Sequence, residues 1–265
     1  FLIHVMRRAI ISDIHGNVVA LEAALADCRA QKVDEVVCLG DICGYGPDPV
    51  ACIETIRSRC KWVLAGNHDA ALFMSVAIGF NKFARDAIEW QRSVMLPKWY
   101  SLPGTKSRWN WLSELTPIRQ EGEVLYIHAS PRDPMMEYVE ESDFADMGFG
   151  SSQKAQDMFD SFKTLAFCGH SHRPGVVTQE FQWMKPQELP EMSWKLRPGD
   201  KTLVNVGSVG QPRDSNPDGC SVIYDDHNKT ITYRRVAYDV KKAQARFRTV
   251  PQLDERLAKR LETGN

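Results

Sequence analysis

The chain has 265 residues, 43% hydrophobic and 25% charged, the balance of a globular protein able to bury a sizeable core. Its 33 basic residues nearly cancel its 34 acidic ones, so no global field points to nucleic acid or an acidic membrane. No apolar stretch is long enough to span a bilayer, and the seven cysteines include no Cys-x-x-Cys pair, which favours reduced, buried thiols and a cytoplasmic setting over a disulfide framework.

The opening Phe1-Leu2-Ile3-His4-Val5 is apolar but too short for a signal core, and Arg7-Arg8 follow it. Met6 offers an alternative start, so residues 1–5 read as an extension of a single domain. Arg8-Ala9-Ile10-Ile11-Ser12 then reads as a buried strand with Asp13-Ile14-His15-Gly16-Asn17 as its exit loop. Val18 to Ala30 has helical period, Val18, Leu21, Leu25 and Cys28 sharing a side. Glu35 to Leu39 predicts a second strand ending in Gly40-Asp41, followed by a glycine-rich loop, Ile42 to Pro47. Asp48-Pro49 is a helix start, aspartate as cap and proline in the first turn, for a helix from Val50 to Arg59. Trp62 to Ala65 predicts a third strand, ending in Gly66-Asn67-His68-Asp69. Strand and helix alternate, and a polar motif follows each strand. The pattern predicts parallel βαβ units whose motifs share one edge of the sheet.

Residues 71–116 read as helices and loops, with Phe80, Phe83, Ile88 and Trp90 as core candidates and Trp109, Trp111 and Leu112 before a turn at Thr116-Pro117. Val124 to Ile127 predicts a strand with His128-Ala129-Ser130-Pro131-Arg132 at its exit, Ser151 to Phe162 an amphipathic helix, and Leu165 to Cys168 a strand ending in Gly169-His170-Ser171-His172. Beyond it, Val176–Thr178, Phe181–Trp183, Lys201–Val204, Ser221–Tyr224 and Thr230–Arg234 read as a mostly antiparallel meander. Two helices close the chain within residues 240–265, Val240 to Phe247 and Gln252 to Glu262, the second with Leu253, Leu257 and Leu261 as a narrow apolar stripe.

Of the seven histidines, His15, His68, His128, His170 and His172 follow apolar strands directly, and Asp13, Asp41 and Asn67 occupy the same kind of position. One loop histidine is ordinarily a surface residue; five at strand exits form a ligand set. Imidazole with carboxylate or amide oxygen suits divalent transition ions such as Mn, Fe, Zn, Ni or Co. The lack of cysteine in the set argues against structural zinc, and the few carboxylates against calcium. The ligands exceed the need of one ion and suit two, roughly 3.5–4 Å apart across a shared carboxylate, which activate a water and hold phosphate oxygens for in-line attack.

Asp13-x-His15, Gly40-Asp41, Gly66-Asn67-His68-Asp69, the strand-exit His128 and Gly169-His170-x-His172 stand in an order that resembles the calcineurin-like metallophosphoesterase superfamily, from about residue 7 to about residue 240. Asn205, Gly207-Ser208 and Val209-Gly210-Gln211-Pro212-Arg213-Asp214 further resemble its small bacterial and archaeal phosphodiesterase-like branch, near the diadenosine polyphosphate hydrolases. The resemblance implies a four-layer α/β/β/α sandwich of two mixed sheets flanked by helices. It implies one metal on Asp13, His15 and His172, another on Asn67, His128 and His170, and Asp41 bridging them. His68 would face the leaving group, as general acid or as a stabiliser of phosphate charge, with Asp69 orienting it. Protein serine/threonine phosphatases of the superfamily carry Asp-Arg-Gly after the bridging aspartate and Glu after Asn-His; Ile42-Cys43-Gly44 and Asp69 stand here instead, which disfavours that activity. Relatives often have Asn-Pro-Gly-Ser where this chain has Asn205-Val206-Gly207-Ser208.

Arg132 and Arg213 are candidate phosphate clamps, against salt bridges to Asp133 and Asp214. Tyr45 could stack on a nucleobase, or pack on its own loop as a rim residue. Asn17 is expected to pin the first loop, and Cys43 is the one thiol whose loop setting suggests reactivity. The expected function is a dinuclear metal-dependent phosphoesterase acting on a small phosphoester or nucleotide, with manganese serving in vitro. The alternatives are a dinucleoside polyphosphate hydrolase with the same site and a non-catalytic interaction module. The presence of every ligand position together with His68 disfavours the module. There is no strong nucleic-acid signature, and the oligomeric state is not legible.

Overall fold

The computed structural model describes residues 6–74, 79–145 and 152–265; the expected extension at 1–5 and the first residue of the helix expected at 151–162 lie outside them. β1 (Arg7–Ile11) pairs in parallel with β2 (Glu35–Cys38), and α1 (Val18–Ala30) connects them. Asn17 starts that helix: its side-chain oxygen accepts from the Ala20 amide at 3.1 Å, satisfying one of the N–H groups a helix start leaves free. Its Nδ2 donates to the Gly210 carbonyl at 3.0 Å, which ties the first loop to a distant one. α2 (Pro49–Arg59) has proline in its first turn, but Asp48 does not cap it. The Asp48 carboxylate accepts from Arg246 Nε at 2.6 Å instead, joining α2 to α7 (Val240–Phe247).

The third expected strand is a correction. Trp62–Ala65 makes a single parallel bridge, Val63 to Cys38. It runs beside β2 only briefly, because the Ala65 amide turns away to the Thr116 carbonyl at 2.9 Å. Two strands were not foreseen. β3 (Ile118–Glu121) forms a hairpin with β4 (Val124–Ile127), and as an exposed edge strand it lacks the apolar alternation that betrays buried ones. β8 (Ser193–Lys195) is likewise short and peripheral.

β5 (Leu165–Cys168), β6 (Gly175–Thr178), β7 (Trp183–Met184) and β9 (Thr202–Asn205) complete one sheet, of order β3-β4-β5-β9-β6-β7. β10 (Gly219–Asp225) and β11 (Thr230–Val236) join the other, of order β2-β1-β10-β11-β8. Each contains parallel and antiparallel pairs, so both are mixed. The expected meander is therefore divided: β9 runs parallel to β5, and the later strands return to the first sheet. The strand expected at Phe181 starts only at Trp183, because Phe181 takes a left-handed φ of 59° in the turn after Thr178.

Strand alternation sorts the core. Leu165 and Phe167 point inward to meet Ile10, Val222 and Tyr233 between the sheets, while Ala166 and Cys168 point outward to α6 (Gln153–Asp160). On the other outer face, Ile11 and Cys38 pack against Leu21 and Leu25 of α1 and Ile53 of α2. The result is the expected helix–sheet–sheet–helix layering. Burying Phe167 is worth about 1.5–3 kcal/mol. α4 (Lys82–Met95) buries Ile88 fully, whereas Phe80, Phe83 and Trp90 are partly buried; α5 (Pro103–Ser113) buries Leu112. At the C-terminus Gln252–Glu262 shortens to α8 (Glu255–Lys259) and a 3₁₀ turn, yet Leu253, Leu257 and Leu261 are buried together beside Val19 and Tyr45. No helix among the described residues is long and apolar enough to cross a membrane.

Candidate metal centre

Asp13 follows β1 and Asp41 follows β2, in the first sheet; His128 follows β4 and His170 and His172 follow β5, in the second. Asn67 and His68 sit in the first turn of a short helix, α3 (Asn67–Ala71), which begins inside the expected loop motif. The carboxyl ends of the two sheets meet: the His170 amide donates to Asp13 Oδ2 at 3.0 Å, and the Val209 amide to the Ser12 carbonyl at 3.0 Å. Asp13, His15, Asp41, His170 and His172 all take left-handed φ, between 47° and 63°. That region is uncommon for side-chain-bearing residues and collects at functional sites.

All seven expected ligand residues converge, and all are buried. His15 Nδ1 donates to the Cys43 carbonyl (2.8 Å) and His172 Nδ1 to the Gln211 carbonyl (2.6 Å). In the neutral tautomers those bonds define, both Nε2 atoms are lone-pair acceptors. They nevertheless face each other at 3.0 Å, with Asp13 Oδ1 only 3.2 Å from His172 Nε2. Asp13 Oδ1 has no hydrogen-bond donor among the described residues. The other half repeats the arrangement. His128 Nδ1 donates to the Leu39 carbonyl (3.0 Å), and its Nε2 faces Asn67 Oδ1 at 3.2 Å and Asp41 Oδ2 at 3.5 Å. His170 uses Nε2 on the Met136 carbonyl (3.1 Å), leaving Nδ1 free. Asp41 Oδ1 accepts from the His68 amide (2.8 Å), while Oδ2 lies 3.6 Å from His15 Nε2 and 3.5 Å from His128 Nε2. One oxygen thus stands between the two halves. Around Asp13, buried acceptors converging without donors are the set a cation needs, and backbone carbonyls on the opposite ring nitrogens fix the imidazoles for it.

The electrostatics follow from burial. Desolvation and the neighbouring His172 hold His15 well below the usual imidazole range; desolvation and Arg213 do the same to His172. Burial, then His128, draws His170 down to about 3. Burial also pulls on His128, but the facing Asp41 outweighs it and raises it to about 9. Burial raises Asp41 in turn.

His68 lies beside this cluster. Burial and then His15 push it well below the usual imidazole range. Its Nδ1 has no partner among the described residues. The expected Asp69–His68 contact is a correction. The Asp69 carboxylate accepts from the amides of Cys43 (2.9 Å), Gly66 (3.1 Å) and Ile42 (3.3 Å), so it stitches the glycine-rich loop to α3 and positions His68 only through the backbone. Gly44 explains the loop's composition: a Cβ there would stand 2.2 Å from His68 Nδ1. Gln91, unforeseen because it lies mid-helix in α4, holds the same loop by accepting from the Gly44 amide and donating to the Gly46 carbonyl, both at 2.7 Å.

Tyr45 is no rim residue. Only 6% exposed, its ring lies 4.8 Å from His15 and 4.6 Å from His68, which leaves no face for a nucleobase. Arg213 sits 5.6 Å over that ring and faces the site; Asp214 pairs with Arg235 instead. Arg132 does not face the site in this way: its guanidinium is held by Asp157 (3.1 Å) and Glu137 (3.5 Å). Cys43 is fully buried and its thiol is raised well above the usual range by desolvation and Asp69, the opposite of a reactive cysteine. The Asn205-Val206-Gly207-Ser208 loop is a buttress. Asn205 Nδ2 donates to the Gly169 carbonyl and Ser208 Oγ to the Asp13 carbonyl. Phe80 and Tyr138, with Tyr45 and His68, line a cavity of about 90 Å³ beside Asn67 and His170. Tyr138, on an irregular segment, carried no signal in the sequence.

Residues 6–229 match the calcineurin-like phosphoesterase superfamily domain. An uncharacterized protein of Methanocaldococcus jannaschii is 34% identical over 262 residues, 97% of each chain. A metallophosphoesterase from Sphaerobacter thermophilus, known from its crystal structure, is 31% identical with a TM-score of 0.82, covering 99% of this chain and all of that one. A hypothetical protein from Pyrococcus horikoshii OT3 shares the fold at 16% identity, TM-score 0.71, over 98% of this chain and 99% of its own. The chain belongs to the calcineurin-like phosphoesterase superfamily. It is a phosphoesterase, a hydrolase of phosphate esters.

Proposed function

We propose that the protein is a dinuclear metal-dependent phosphoesterase. The observation that carries this reading is the convergence of unpaired acceptors: His15 and His172 Nε2 at 3.0 Å around Asp13 Oδ1, with Asp41 Oδ2 between that group and His128. Asp13, His15 and His172 would hold one divalent cation, Asn67, His128 and His170 the other, and Asp41 both. Such ions supply the positive charge that binds phosphate oxygens and the acidity that makes water a nucleophile at neutral pH. The mixed nitrogen and oxygen donors suit Mn, Fe, Co, Ni or Zn.

The chain's own residues do the rest. Carbonyls of Cys43, Leu39 and Gln211 keep three imidazoles in one tautomer. His68, held neutral by burial among other imidazoles, is better suited to donate a hydrogen bond to phosphate or leaving-group oxygen than to deliver a proton from an imidazolium. Arg213 adds a cation at the rim of the site. Phe80 and Tyr138 give the neighbouring cavity apolar walls for an organic leaving group. The test is turnover of bis(p-nitrophenyl) phosphate by chelator-treated protein resupplied with Mn, Ni, Co or Zn. Turnover that returns with the metal supports the reading; no turnover with any of them overturns it and favours a non-catalytic module.

A further inference from the structure

Next to the metal centre, two guanidinium groups share one oxygen. Arg213 Nη2 donates to Gln211 Oε1 at 3.0 Å, and Arg260 Nη1 donates to the same atom at 3.3 Å. Both arginines are partly buried. Among the described residues no side-chain carboxylate lies within 4.0 Å of either guanidinium; Asp214, next in sequence to Arg213, is taken by Arg235. Arg260 Nε donates to an oxygen of Asn265, the last residue of the sequence, at 2.7 Å. Two like charges on one neutral acceptor repel each other.

The donors also outnumber the acceptors. Gln211 is 2% exposed, and the two arginines on its oxygen fix which end of the amide is which. Its Nε2 is then a buried donor without a partner among the described residues, and Arg213 Nε is another. Orphaned buried N–H groups are rare and costly. Two guanidiniums sharing one neutral oxygen, with two idle N–H donors beside them, make a cradle with more donors than acceptors, which an anion would satisfy.

Its position says which anion. The Gln211 carbonyl takes the Nδ1 edge of His172, whose Nε2 faces Asp13. The cradle therefore begins one imidazole width from the candidate metal ligands. A cleft of about 320 Å³, lined by Arg173, Lys185 and Arg213 and by Glu141 and Asp214, which pair with Lys185 and Arg235, opens beside it. We infer that Arg213, Gln211 and Arg260 hold a second phosphate group of the substrate, adjacent to the phosphate at the metal centre. This rests on the phosphoesterase reading and narrows it. The substrate class is an organic phosphoester carrying a neighbouring phosphate, and a lone phosphodiester fills only half the site. Arg260 lies beyond the matched family region of residues 6–229, so the C-terminal segment sets specificity.

The test is a calorimetric titration of inorganic pyrophosphate and of orthophosphate into metal-free protein, where chelation of the metals does not intervene. The wild-type protein should bind pyrophosphate about tenfold more tightly than orthophosphate, the scale of one charge-assisted contact. Arg260→Gln should remove most of that preference, and Arg260→Lys, which keeps the charge and serves should the glutamine variant not fold, should retain part of it. In the metal-loaded enzyme, R260Q should raise KM for a nucleoside diphosphate about tenfold more than KM for bis(p-nitrophenyl) phosphate. Equal binding of the two anions, or an unchanged preference in both variants, overturns the clamp and leaves the phosphoesterase reading standing. Absent turnover with a persisting pyrophosphate preference defeats the phosphoesterase reading instead.

Discussion

Gly44→Ala should disable the site without touching any candidate ligand. Gly44 has φ +87°, and an added Cβ would stand 2.2 Å from His68 Nδ1 and 2.7 Å from its Cγ. Left-handed backbone costs a side-chain-bearing residue about 1–2 kcal/mol, and overpacking a tight interior about 1–3 kcal/mol. Tyr45, Phe80 and His15 hem the ring at 4.6, 4.8 and 4.8 Å, and it is open only toward the small cavity it lines. If His68 keeps its place, the variant loses about 2–5 kcal/mol, or roughly 4–20 °C in Tm for a chain of this size. If His68 is expelled, part of that loss is relieved and kcat on bis(p-nitrophenyl) phosphate falls by about 10²–10³-fold. Calorimetry and turnover on one preparation, with metal content by elemental analysis, separate the two responses. A variant with wild-type Tm and wild-type kcat would refute the packing argument.

Asp41→Ala should strip both halves of the centre, because its Oδ2 stands between His15 and His128; two metal equivalents surviving in elemental analysis would contradict a shared ligand. His68→Ala should retain both metals and lower kcat by about 10²–10³-fold, the scale of one lost hydrogen-bond donor to developing charge, and an unchanged rate would remove His68 from the chemistry. Away from the site, Glu121 is raised by burial but drawn below the usual carboxylate range overall by Arg119 and Arg8, the latter at 2.6 Å. A depressed folded-state value means the stability it adds is full above the unfolded value and lost as pH falls through the folded one. Glu121→Gln should therefore lower Tm near neutral pH, by an amount equivalent to about 1 kcal/mol or less because solvent still screens the part-exposed carboxylate, and the gap should close in acid. A gap that widens in acid would reverse the sign.

How far the sequence reached depended on whether the signal was local. Asp13, His15, Asp41, Asn67, His128, His170 and His172 were legible because each stands at the exit of an apolar run, and strands of one direction share an edge. That these exits belong to two sheets came only with the family resemblance and not from the strand pattern, since pairing partners such as β5 and β9 are far apart in sequence. Edge strands β3 and β8 bury no alternating face and so left no period to read. Asp69 followed His68 in the chain, which suggested a contact; the helical turn sends its carboxylate back to the Gly66, Cys43 and Ile42 amides instead. Arg260 gave no signal and Gln211 stood out only as part of the Val209–Asp214 motif, because a charge without a partner is visible only once every neighbour is in place.

Backbone conformation was equally hidden, and it bears on how the site works. Asp13, His15, Asp41, His170 and His172 are all left-handed, at about 1 kcal/mol or more each, a sizeable part of a typical stability of about 5–15 kcal/mol. Such strain survives only where the surroundings over-determine it. Here they do: Ser208 holds the Asp13 carbonyl, Asp13 holds the His170 amide, and Asp69 holds the Ile42 and Cys43 amides behind Asp41. The repulsion among His15, His172 and Asp13 adds to the same side. Both costs are met when the chain folds, so on the proposed reading ions entering the site would relieve repulsion without having to reorganise the loops. Such a centre should gain stability on loading metal while changing shape little.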